Sequence, residues 1–190
     1  MLHTAESAIP TNPSDVACID LINSSFTDYL GTGDTSDRIT SREWQAWFLH
    51  RYRLKPDRRD PLPVEELVSL RGDLHRILDK WSRRVALSLR DVKLLDARVR
   101  AAPMRRRVAG KAAGLELAQE PVRRDWTWVL AEVTASAVEL MSAKDPKRLK
   151  TCGNPDCSWL FYDASVNHSR QYCTATPCGS LMRVRRFRQG

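Results

Sequence analysis

The chain has no apolar run that approaches the length of a membrane span, and its first ten residues have neither the basic start nor the apolar centre of a secretory leader. These absences argue against a membrane protein and a secreted one, so a cytoplasmic protein with no membrane partner is expected. Also missing are a glycine-rich phosphate loop, a histidine-rich metal motif and the serine-elbow signature of hydrolases. Scattered carboxylates such as Glu65, Glu66 and Glu116 read as solvated charge. An enzyme is therefore the class with least support, and no catalytic residue is assigned. There is neither an internal repeat nor a low-complexity segment, and 190 residues suffice for one modest core plus a small metal-stapled module.

What the sequence does have is concentrated near its end. Four of the five cysteines fall between positions 152 and 178, as Cys152-x4-Cys157 and Cys173-x4-Cys178. Two close pairs joined by a hairpin-length spacer form the pattern of a closed tetrahedral zinc site. Gly153, Asn154 and Pro155 supply turn chemistry in the first pair, and Pro177 and Gly179 flank the last cysteine. Two disulfides are the alternative, which fits poorly with a reducing cytosol. Four thiolate ligands leave no open position, so a single zinc ion here is expected to be structural rather than catalytic. His168 lies in the polar run Asn167 to Arg170 and reads as a loop residue instead of a rival ligand. Cys18, far from the other four, reads as a small buried side chain.

Charge is placed unevenly. Residues 147–190 carry eight Lys/Arg and two Asp, whereas the remaining 146 carry 23 Lys/Arg and 21 Asp/Glu. Four thiolates and a zinc ion would leave the tail at about +4. A balanced body with a cationic tail points to a polyanion partner for the tail.

Taken in order, the chain predicts a mainly α protein. Ser14 or Asp15 would cap a first helix with Val16, Ile19, Ile22 and Phe26 on one stripe. Residues 31–37 read as a loop. Thr40 to Glu43 reads as a capping box opening a second helix with Trp44, Trp47, Phe48 and Tyr52. A proline-bounded connection spans Lys55 to Pro63. A long helix then starts near Val64 and carries Leu67, Leu70, Leu74, Ile77, Leu78, Trp81 and Val85. Asp91 would cap a fourth helix that ends before Pro103. Met104–Val108 and Leu115–Glu120 read as a small solvated β-hairpin. A fifth helix carries Trp126, Val129, Leu130, Val133, Ala137, Leu140 and Met141, and Pro146 stops it. These readings divide the chain into a helical part, 1–146, and a finger, 147–190, built of a hairpin and a short helix. In that last helix Val184 and Phe187 are expected to pack on the finger and leave the arginines outward.

The residues of the tail resemble a known family. Cys152-x4-Cys157, then Trp159 to Ser165, Arg170-Gln-Tyr172-Cys173, Cys178-Gly179 and Val184 to Arg188 are similar to the CGNR zinc finger. More loosely, Asp15 to Asn23 resembles the opening helix of the ABATE domain that precedes this finger in bacterial proteins described as stress-induced transcription regulators. The resemblance implies a helical ligand-binding body and a zinc-dependent, DNA-binding finger. The chain departs from the family at one place: Ser180 and Leu181 stand where the name-giving Asn and Arg would follow Cys178-Gly179.

Function is expected at two places. Arg183, Arg185, Arg186 and Arg188 on a metal-braced helix can neutralise phosphates or reach guanine, which makes DNA the expected partner. Trp44, Trp47, Trp81 and Trp126 could line an aromatic small-molecule pocket, although their helical spacing also suits plain core packing. One reading is a bacterial transcription regulator with a sensor body. The alternative is a zinc-bearing module that binds RNA or protein. Homo-oligomerisation is left open.

Overall fold

The longest apolar rhythm of the chain builds the centre of the molecule. The structure, a computed structural model, describes residues 13–27, 33–57, 61–111 and 114–189. Leu67, Leu70, Leu74, Ile77 and Leu78 are buried along one stripe of α3 (Val64–Ser82), as their three-and-four spacing requires. Against α3 pack α1 (Ala17–Ile22), whose six residues are all buried, and α5 (Trp126–Ala143), with Val129, Leu130, Val133, Ala137 and Leu140 inward. Helix α2 (Arg42–Arg51) adds Trp44 and Phe48 to the same core, and α4 (Leu89–Arg100) lies on α5 through Leu95.

Three two-stranded antiparallel hairpins, three short helical turns and a last helix complete the regular elements of the described residues. β1 (Ser25–Thr27) pairs with β2 (Thr35–Asp37), β3 (Met104–Lys111) with β4 (Gly114–Pro121), and β5 (Leu149–Thr151) with β6 (Leu160–Tyr162). Helix α6 (Ser180–Gln189) ends them. The β3–β4 hairpin stands in solvent, with Val108 opposite Leu117 and both exposed.

Ion pairs join the layers. Arg71 makes a bidentate pair with Asp37 (2.7 and 2.8 Å) and also reaches Ser24, which ties the β1–β2 hairpin to α3. Asp91 is buried at the start of α4 and is held by Lys80 (2.8 Å) and Arg76 of α3. Lys80, Arg76 and Ser88 together keep its carboxyl well below the usual carboxylate range.

Several local expectations are corrected by tertiary contacts. The first helix is only Ala17–Ile22 and has no side-chain cap. The Ser14 N–H donates instead to Asp20 (2.8 Å), and Asp15 pairs with Arg51 (2.7 Å). Phe26, expected on that helix, lies on β1, because Asn23 leaves the helix to bond a distant strand. Part of the expected loop at 31–37 is strand β2, and positions 31 and 32 fall outside the described residues, as do 58–60 of the next connection. The cap of α2 is Ser41, which accepts from the Trp44 N–H; the Thr40 hydroxyl is turned to the Asp37 carbonyl. Ser88 rather than Asp91 caps α4, and Asp91 completes the capping box three residues on. Helix α3 ends at Ser82, so Val85 is half in solvent instead of on the stripe.

Candidate metal centre and the basic face beside it

Each cysteine pair is folded by its own turn. In the first, Asn154 is fully buried; its side chain accepts from the Asp156 N–H and its carbonyl from the Cys157 N–H. Gly153 lies so close to the second pair that an added Cβ would meet the Gln171 carbonyl at 3.0 Å, while its own N–H donates to that oxygen. In the second, the Cys178 N–H donates to the Thr174 hydroxyl, and Ala175–Gly179 forms an irregular turn running into α6. The chain thereby brings Cys152, Cys157, Cys173 and Cys178 together, all buried, with their sulfurs within 4.8 Å of one another.

This donor set suits one zinc ion. Zn–S bonds of about 2.3 Å in a tetrahedron imply sulfurs about 3.8 Å apart. Cys157 and Cys173 are 3.8 Å apart, and Cys173 and Cys178 are 3.6 Å apart. The Cys173 N–H and the Asn154 amide point at the Cys152 and Cys178 sulfurs, as donors to thiolates do. Without a cation the four thiols cannot all ionise. Hydrogen bonds from Cys157 and Cys173 push the Cys152 thiol down, and Cys157 and Cys173 are pushed up in turn. A divalent ion removes that conflict and leaves four thiolates around one closed, structural site. His168 is not part of it: it is exposed, has a left-handed backbone (φ 50°), and its backbone N–H and carbonyl bond the Ser165 carbonyl and Lys150.

The finger is joined to the helical body through buried groups. Leu149 and Leu160 of its hairpin belong to the body's core. The Asn23 amide donates to the Leu160 carbonyl (2.8 Å), and the Leu160 N–H donates back to Asn23 (2.9 Å). Trp159 donates from Nε1 to the Ser25 carbonyl, and the Arg38 guanidinium lies 4.6 Å from the Phe26 ring and 5.2 Å from that of Trp159. Burial of Arg38 without a carboxylate among the described residues lowers its pKa; the two rings are its compensation. Within the finger, Lys150 holds the fully buried Asp163 (2.7 Å) and the carbonyls of His168 and Arg170. Burial alone would push the Asp163 carboxyl up, but Lys150, Ser165 and the Arg170 N–H hold it well below the usual range.

The basic helix differs from the expectation. Val184 and Phe187 do not pack on the finger: they are 47% and 88% exposed. Polar contacts hold α6 instead, with Arg185 on Asp156 (2.7 Å) and Arg186 on the Tyr172 hydroxyl (2.7 Å). Arg183 and Arg188 are exposed and make no hydrogen bond or ion pair with the described residues. Arg183 and Arg186 line a cleft of about 380 Å³ together with Arg170, Tyr172 and Thr174. The sequence points to Arg170 only through the family resemblance, not as a member of the basic face. Its Nε donates to the Tyr172 carbonyl (2.8 Å), and its guanidinium also bonds the Cys173 carbonyl and lies over Phe161, so the metal knuckle itself positions it.

The four tryptophans lie in or against the core. Trp44 is buried and stacked on Phe48 (4.8 Å between centroids), and Trp47, Trp81 and Trp126 are half-buried against the same cluster. A second cavity, about 390 Å³, lies between α1, the end of α2 and α5 and is lined by none of the four.

Two family models match the chain. A family model described as "Putative stress-induced transcription regulator" (ABATE) matches residues 15–144, and one described as CGNR zinc finger matches residues 148–189. No curated protein matches the chain. Among the described residues no helix is long and apolar enough to cross a membrane.

Proposed function

The chain belongs to the ABATE family and carries a CGNR zinc finger; on that premise we propose that it is a one-component transcription regulator whose helical body senses a small molecule and whose finger binds duplex DNA. In this reading the protein binds and does not catalyse. The zinc ion supplies folding energy to a segment too small to have a core of its own. The observation that carries the reading is the cleft beside the metal, where Arg170, Arg183 and Arg186 converge from two segments. Guanidinium groups held in one concave site, on a chain of net charge +8, suit a phosphate of the nucleic-acid backbone. Arg183 and Arg188 are the groups left free to bind. Arg185 and Arg186 also brace the helix, so their loss should cost stability as well as affinity.

The test is affinity of the zinc-loaded protein for DNA from upstream of its own gene, for random duplex and for single-stranded RNA, at two salt concentrations. Arg183→Ala should flatten the logarithmic salt dependence by roughly one unit on duplex DNA without lowering Tm. If an Arg183→Ala, Arg186→Ala double variant still holds zinc and binds duplex as tightly as the parent, the reading is wrong. A second reading, single-stranded RNA as the partner, is favoured by one observation: Phe187 stands exposed among arginines, as an aromatic on which a base can stack. It would be preferred if RNA binds more tightly than duplex and Phe187→Ala removes about 1–3 kcal/mol of that affinity.

A further inference from the structure

The cavity between α1 and α5 has an apolar floor and an acidic rim. Val16, Leu54 and Leu140 form part of the floor, and Ala135 and Ala143 keep the α5 wall low. Glu132 and Glu139 project from the same stripe of α5, two turns apart, and Asp15 lies across from them. Asp15 is already neutralised by Arg51 (2.7 Å). Glu132 accepts only the indole Nε1–H of Trp128 (3.1 Å), and Glu139 has no hydrogen bond or ion pair with the described residues. Lys144, at the end of α5, is the one cation among the described lining residues. Two under-compensated carboxylates at the mouth of a half-apolar cavity, in a chain of net charge +8, form a local inversion of sign. At about 390 Å³ the space is within the range of small-molecule sites.

We infer that this cavity binds a small organic amine, its ammonium held by Glu132 and Glu139 and its hydrocarbon body on the floor beneath. The inference rests on the reading of the body as a sensor and names the class of ligand sensed. An ammonium group offers three donors and can be shared between two carboxylates that stand on one helical stripe. The cavity also lies next to the connection with the finger. Ser136, on its wall, accepts the Cys18 N–H of α1 (3.0 Å), and Tyr52 contacts Asp20 of the same helix (2.5 Å). The other end of that six-residue helix is Asn23, bonded to Leu160 of the finger.

The test is calorimetric titration of the full zinc-loaded chain, without DNA, using two pairs of probes of matched body and opposite charge: phenethylamine against phenylacetate, and hexylamine against hexanoate. At least one amine should saturate at a single site, and its carboxylate counterpart should bind about tenfold more weakly or not at all. Because Glu132 holds the Trp128 indole, amine binding should also shift tryptophan emission. A Glu132→Gln, Glu139→Gln double variant, isosteric at two accessible positions, should lose about tenfold for the amine and nothing for the carboxylate. Ala135→Leu should fill the cavity and abolish binding. Saturation by neither amine, equal affinity for both charges, or binding unchanged in Ala135→Leu with the parent's circular-dichroism melt would overturn the inference. Since DNA is absent from the assay, failure here leaves the DNA-binding reading standing, and failure of DNA binding leaves this site standing.

Discussion

Asp20 is a carboxylate 2% exposed, and Arg51, whose charge acts on it, is engaged with Asp15. Burial pushes its pKa up to about 6, against hydrogen bonds from Tyr52 and the Ser14 N–H that pull it down. The folded state therefore binds this proton more tightly than the unfolded chain does. The contribution of Asp20 to stability is fully present below about pH 4 and is lost as pH rises through about 6, a change of roughly 3 kcal/mol. Asp91 and Asp163, both held low by lysine partners, act in the opposite sense and lose their contribution as pH falls. Comparison with Asp20→Asn separates the two trends. An amide at position 20 can donate to the Tyr52 oxygen while the Tyr52 hydroxyl turns to the Ser14 carbonyl 3.0 Å away. The variant should match the parent near pH 4 and be the more stable of the two at pH 7, as urea midpoints across that range will show. A difference that does not vary with pH would mean that Asp20 titrates as an ordinary surface carboxylate.

At the scale of elements, the finger contains two parts that depend on different energies. The turns at 152–159 and the segment 163–189 are organised by the cysteines, with only Phe161 and the flanks of Trp159 and Tyr172 as apolar support. The β5–β6 hairpin is held by the body through Leu149, Leu160 and the Asn23 pair. Chelation of zinc should therefore not melt everything after Lys150 uniformly. Hydrogen exchange on the chelated protein should show fast amides at 152–157 and 173–189 and a Leu160 amide that remains protected. Rapid exchange at Leu160 on chelation would show that the metal, and not Asn23, holds the strand. Lys150 links the two parts. Lys150→Met leaves Asp163 buried without its cation, which should cost about 3–5 kcal/mol and weaken zinc retention as well.

Over the whole molecule, the two matched families share one core. Leu149 and Leu160 are each 3% exposed, within the cluster that α1, α3 and α5 form. A chain ending at Pro146 would leave that part of the body open. Losing two buried leucines at about 1.5–3 kcal/mol each predicts a body several kcal/mol less stable than the full protein. Its urea midpoint should fall accordingly, and an unchanged midpoint would show the finger to be an appended unit. One helix, α1, touches both the cavity and the hairpin, so the body and the metal knuckle are joined through a single short element.

Sequence alone was enough wherever a local pattern sets the answer. Cysteine spacing with turn residues between gave the zinc knuckle, the three-and-four spacing of apolar residues gave α3 and α5, and two short strand-like runs around a glycine turn gave the β3–β4 hairpin. Each of these is decided by residues close in the chain, so the pattern and the structure share one cause. What the sequence missed depends on contacts that form only once the chain has folded. Asn23 ends α1 early because Leu160, 137 residues away, offers it two hydrogen bonds. Val184 and Phe187 have the spacing of a packed pair but face solvent, because Asp156 and the Tyr172 hydroxyl hold the opposite side of α6 by charge and hydrogen bonding. Arg170 joins the basic cleft only because the metal turn folds it against Tyr172 and Phe161. The sequence thus determined α3, α5, the β3–β4 hairpin and the four clustered cysteines. Which face of a helix is buried, and which distant side chains meet, was decided by tertiary structure, because those choices are energy differences between contacts that exist only after the chain has folded.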